Sequence, residues 1–209
     1  VLPEVYRQKF EYSMGLGAKG VANALTVAKK YQNDAIGGAW PDGFATEAEF
    51  YVALAERSSP QEFQNKLRGI VNKARSTAPM IANRANVQLA HSLRENGDPT
   101  AAQRIYEDVI GKANADDSSR AGAYLGLGKI QLEQAGTDKD LAHKALLNFL
   151  RVRLDTRGSW PSLQAEALYH AVLAADKWRG PEYGYIMARC RGTLMSEFKD
   201  SEWAAMARR

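Results

Sequence analysis

At 209 residues, with 45% apolar and 25% charged side chains, the chain suits one ordinary domain or one short repeat array with a core and a solvated surface. No apolar run approaches the roughly 20 residues that cross a bilayer as a helix. A single cysteine, Cys190, excludes an internal disulfide and any multi-cysteine metal site. The net charge of +4 is mild, and from Arg151 onward ten Lys or Arg stand against seven Asp or Glu. That is too diffuse to define a phosphate-binding face.

Ala and Leu dominate the apolar residues, and Val and Ile never alternate with polar residues over a long run, so the expected fold class is all-α. In chain order, residues 1–44 form an N-terminal helical segment with the character of a degenerate repeat. Val5, Tyr6 and Phe10 share one helical face, and Ala22, Leu25 and Ala28 share another. Gly15, Gly17 and Gly20 between them read as small residues at a helix crossing. No strand precedes them and no Gly-Lys-Ser/Thr follows, so they are not a phosphate loop. Trp40-Pro41-Asp42-Gly43 reads as a turn, with Trp40 covering neighbouring helix ends.

From residue 45 the pattern becomes periodic. Thr46 with Glu49 has the spacing of a capping box, and Tyr51, Leu54 and Ala55 form an inner face. Ser58 or Ser59 caps the next helix, which Phe63, Leu67, Ile70, Val71 and Ala74 make amphipathic. Then come two regular helix-turn-helix units. Leu89, Ala90, Gly97, Ala102, Tyr106 and Val109 mark the first; Leu127, Gly128, Gly136, Ala145, Phe149 and Val152 mark the second. Gly97-Asp98-Pro99 ends one helix and Thr100 is placed to cap the next; about five extra residues lengthen the second turn at 136–140. A further helix runs from Leu163 to Trp178 with Ser162 as cap, and its partner spans about Pro181 to Glu197. Asp200 or Ser201 caps a last short helix with Trp203 inward and Arg208-Arg209 outward.

The spacing of these marker residues, roughly 34 to 38, and their types resemble tetratricopeptide repeat (TPR) proteins. The ending Phe198-Lys-Asp-Ser-Glu-Trp-Ala205 is similar to that of bacterial envelope TPR proteins, with Lys199 where those carry proline. The resemblance implies a right-handed α-solenoid with repeats at about 48–82, 83–120, 121–164 and 165–199, and a capping helix at 200–209. It also implies a concave groove lined by outward residues of the first helix of each pair. Carried over position by position, these are Arg84, Val87, His91 and Arg94, then Gly122, Leu125, Lys129 and Leu132, then Glu166, Tyr169, Leu173 and Asp176. Their mixture suits a peptide with acidic and apolar side chains. Val87 and His91 stand where chaperone-docking relatives hold a carboxylate with Lys and Asn, which rules out that specificity.

Nothing in the residues supports catalysis. His91, His143 and His170 show no metal-ligand spacing, and no P-loop, dinucleotide fingerprint or nucleophile elbow occurs. The expectation is a non-catalytic scaffold or adaptor without a cofactor, binding a protein or peptide, with a bacterial periplasm or envelope location favoured over the cytoplasm. Two alternatives stand beside it: self-assembly through terminal helices, and nucleic-acid binding around Arg151, Arg153, Arg189 and Arg191.

Overall fold

The computed structural model describes residues 2–38, 40–56, 59–156 and 160–208. Among them every regular element is helical and no strand occurs. In order, the helices are α1 (Pro3–Gly15), α2 (Val21–Gly37), α3 (Asp42–Glu56), α4 (Pro60–Thr77), α5 (Pro79–Glu95), α6 (Pro99–Gly111), α7 (Asp117–Gln134), α8 (Lys139–Thr156), α9 (Pro161–Trp178), α10 (Tyr183–Glu197) and α11 (Glu202–Ala207). Residues 1–92 and 93–209 form two compact units, taken here in turn.

In the first unit α1 packs on α2, α2 on α3 and α3 on α4, and α1 also touches α3. A Cβ at Gly20 would lie 1.7 Å from the Ser13 carbonyl oxygen, so this position must be glycine for α1 and α2 to cross so closely. Tyr6 and Tyr31 stack at 5.1 Å, and Trp40 sits 6.0 Å from both Tyr31 and Phe44, covering the helix ends as expected. The core centres on Tyr31, Leu67 and Ile70, all fully buried.

Several local expectations are corrected here. α3 begins at Asp42, inside the expected turn, so Thr46 is not a cap: its hydroxyl donates to the Asp42 carbonyl at 3.2 Å. Glu49 pairs with Lys73 at 2.9 Å instead of closing a capping box. The box belongs to α4, where Ser59 accepts from the Glu62 N–H and the Glu62 carboxylate accepts from the Ser59 N–H. Ser58 lies outside the described residues.

In the second unit α6 to α11 again pack consecutively, and α7 touches α9, which touches α11. The glycines of α7 explain the fit. A Cβ at Gly126 would fall 2.2 Å from the Tyr106 ring, and one at Gly128 would fall 2.7 Å from the Phe149 ring. Both rings are buried, and burying each stabilises by about 1.5–3 kcal/mol. α5 ends in a Schellman motif: Gly97 has φ +89°, the Asp98 N–H donates to Leu93 O at 2.9 Å and the Gly97 N–H to Arg94 O at 3.2 Å. Asp98, not Thr100, caps α6 by accepting from Ala101 N–H at 2.9 Å. The extra residues before α8 form a turn in which the Asp138 carboxylate accepts from the N–H groups of Asp140 and Leu141. α9 begins at Pro161, so Trp160 rather than Ser162 is its N-cap, and most of the expected loop before it, residues 157–159, lies outside the described residues. Ser201 caps α11, accepting from Ala204 N–H at 3.1 Å.

Candidate functional site

Among the described residues no helix is long and apolar enough to cross a membrane, and no group of three or more His, Cys, Asp or Glu is placed to hold a metal ion. Cys190 is buried on α10, and burial pushes its thiol above the usual range, which disfavours the thiolate a nucleophile requires.

The first unit holds three residues of the expected groove. Val87 is only 4% exposed and is corrected to a core residue: its position on α5 faces the interior. Arg84 and His91 are half-buried and engaged with other groups. Arg84 also acts on Glu11, whose carboxyl is pushed up by burial and pulled back by Arg84 and Arg7.

The strongest polar cluster in this unit was not foreseen. Glu47 of α3, 3% exposed, accepts two hydrogen bonds from the Arg7 guanidinium at 2.7 Å each, one from Tyr31 at 2.8 Å and one from Tyr51 at 3.3 Å. Burial first, then Glu47, drives the Tyr31 and Tyr51 hydroxyls above their ordinary range, so both act as neutral donors. The carboxylate is satisfied on both oxygens, and the cluster ties α1, α2 and α3 together. Its only sequence signal was an isolated Glu on an otherwise apolar helical face.

In the second unit the expected groove residues lie along α7 and α9, with Arg94 at the end of α5. Leu125 is 2% exposed and is likewise corrected to a core residue, as is Gly122. Lys129 and Arg94 are in place but already matched. Lys129 pairs with Glu166 of α9, both side chains mostly covered, and Arg94 pairs with Glu133 of α7 at 2.8 Å. Arg94 also shares a hydrogen bond with the buried Tyr106 hydroxyl. A second link joins α7 and α9, from Lys177 Nζ to the Leu132 carbonyl at 3.3 Å. The positive charge of Arg94 and Lys129, expected to meet the acidic side chains of a peptide, therefore closes ion pairs between α5 and α7 and between α7 and α9.

What remains open on this face is apolar. Leu173 is 41% exposed, and Leu132 and Tyr169 are half-buried against the core. Asp176 at the far end is exposed and paired with Arg179 at 3.1 Å. Beside this stripe, His170 lies among Phe149, Tyr169 and Trp203 at ring distances of 5.4, 5.3 and 5.6 Å. Of the basic residues of the nucleic-acid alternative, Arg153 pairs with Glu197 at 2.9 Å, Arg151 lies over the Tyr124 ring, and Arg189 leans on Tyr185. Compared with protein-family models, curated proteins and solved structures, the chain matches none.

Proposed function

We propose that the chain is a non-catalytic protein–protein interaction scaffold of TPR-like, right-handed helix pairs, docking its partner on the α7–α9 face. One observation supports this reading above others. Leu132, Tyr169 and Leu173 form a partly exposed apolar stripe across two touching helices, bordered by ion pairs that leave little unmatched charge. An exposed leucine alone means nothing. Here it continues a line of half-covered apolar groups, and such a line suits an extended or helical peptide presenting its own apolar side chains. The partner's acidity, expected from Arg94 and Lys129, is thereby demoted: apolar contacts carry affinity, and charge sets register at most.

Capture from cell extract on immobilised protein tests it. Wild type and Leu154→Glu, a control on the 71%-exposed α8 position, should retain the same protein partner. Leu173→Glu should lose it with helicity unchanged. Capture of nucleic acid alone, or loss only with Leu154→Glu, would overturn the reading.

A further inference from the structure

α11 is six residues long, far below the length at which a helix is stable alone, so it stays folded only by docking. Its attachment is narrow. Ala204 is fully buried, Trp203 and Ala207 are partly buried, and the Arg208 guanidinium donates to the Lys199 carbonyl at 2.9 Å. Trp203 lies 5.5 Å from Tyr169 and 5.6 Å from His170.

His170 is thus part of the seat of α11. Its ring stacks on Phe149 of α8 at 5.4 Å, and its Nδ1 is buried with no hydrogen-bond partner among the described residues. A proton added there would have no acceptor and would sit between aromatic rings. The charges around it do not compensate. From α9, Glu166 comes within 4.0 Å of Nε2, but that carboxylate is committed to Lys129 of α7. Lys129 and Arg94 of α5 both disfavour a second positive charge, while α8 and α11 present Phe149 and Trp203.

We propose that α11 is an acid-released cap: its docking on α9 requires a neutral His170, and protonation of that ring frees α11 while the helices beneath it stay folded. The direction of titration agrees. Burial, then Lys129 and Arg94, push His170 down from 6.5 to about 4 while α11 is docked; release of Trp203 lifts part of that burial, while Lys129 and Arg94 stay in place on the helices beneath. The released form therefore binds the proton more tightly. Its population relative to the docked form therefore rises as the pH falls from 6.5 toward 4, by at most about 300-fold. Release also uncovers Tyr169, which would extend the docking stripe; that consequence rests on the functional reading above, whereas the release does not.

Fluorine NMR of the full chain carrying 5-fluorotryptophan distinguishes the outcomes, because Trp203 is one of four tryptophans and Trp203→Phe assigns its signal. Between pH 7 and 4.5 the Trp203 signal should shift reversibly toward the solvent-exposed position while the other three and the helicity hold. His170→Phe should keep Trp203 docked throughout, and His170→Gln serves the same purpose if the phenylalanine variant does not fold. A Trp203 signal that never moves overturns the proposal. So does one that moves equally in a folded His170 variant, or four signals that move together as helicity is lost.

Discussion

At the scale of single residues, glycines and buried ions dominate. Gly126→Ala gains about 1 kcal/mol in helix propensity, but its methyl would strike the buried Tyr106 ring at 2.2 Å. Overpacking of this kind costs about 1–3 kcal/mol. Urea unfolding should therefore show a net loss of about 1 kcal/mol, and a gain would mean that the ring yields. Glu47→Ala leaves Arg7 and two tyrosine hydroxyls without their acceptor. Removing one partner of a fully buried pair costs about 3–5 kcal/mol; with Arg7 34% exposed, a loss of about 2–3 kcal/mol is expected in the same measurement. His170 adds a pH dependence. Its folded value is depressed, so the unfolded chain binds the proton more strongly, and stability is full above pH 6.5 and lost as the pH falls toward 4. The difference is worth at most about 3 kcal/mol, because release of α11 relieves part of it before the chain unfolds. Denaturation at pH 7 and at pH 4.5 should show a smaller gap for His170→Phe than for wild type.

Among elements, those with strong periodicity and explicit end signals were legible in the sequence: Gly97 before Asp98-Pro99, the serine at position 59, and the alternation of Ala with Tyr106 or Phe149. Each is a local signal whose physics is complete within a few residues. Gly97→Ala places a side chain at φ +89°, so a loss of about 1 kcal/mol is expected from thermal unfolding. What was not legible depended on competition between nearby caps. Asp98 prevailed over Thr100 because its carboxylate already reaches the Ala101 N–H. Thr46 failed as a cap because α3 had started one turn earlier, at Asp42. Helix starts are decided by which carboxylate or hydroxyl reaches an open N–H, and sequence spacing offers several.

For the molecule as a whole, the all-helical architecture and its consecutive pairing were readable from the 3.6-residue period. The site was readable only in outline. Lys129, Leu132, Tyr169, Leu173 and Asp176 do fall on α7 and α9 in one unit. Val87 and Leu125, though, lie in the core; one residue of register moves a side chain about 100° around a helix, so position counting alone does not fix which side chains face outward. The pairing of Lys129 with Glu166 and of Arg94 with Glu133 joins residues 37 and 39 apart in sequence, which no local pattern reveals. Under the proposed scaffold reading, those pairings shift the weight from the acidic to the apolar side chains of the expected peptide. The most direct test is photocrosslinking in the source cell with benzophenone-phenylalanine at position 173, with position 154 as the comparison. Adducts to a discrete protein from position 173 and not from 154 are the result expected of a docking stripe on α7 and α9. Adducts from 154 alone, or from neither position, would contradict it.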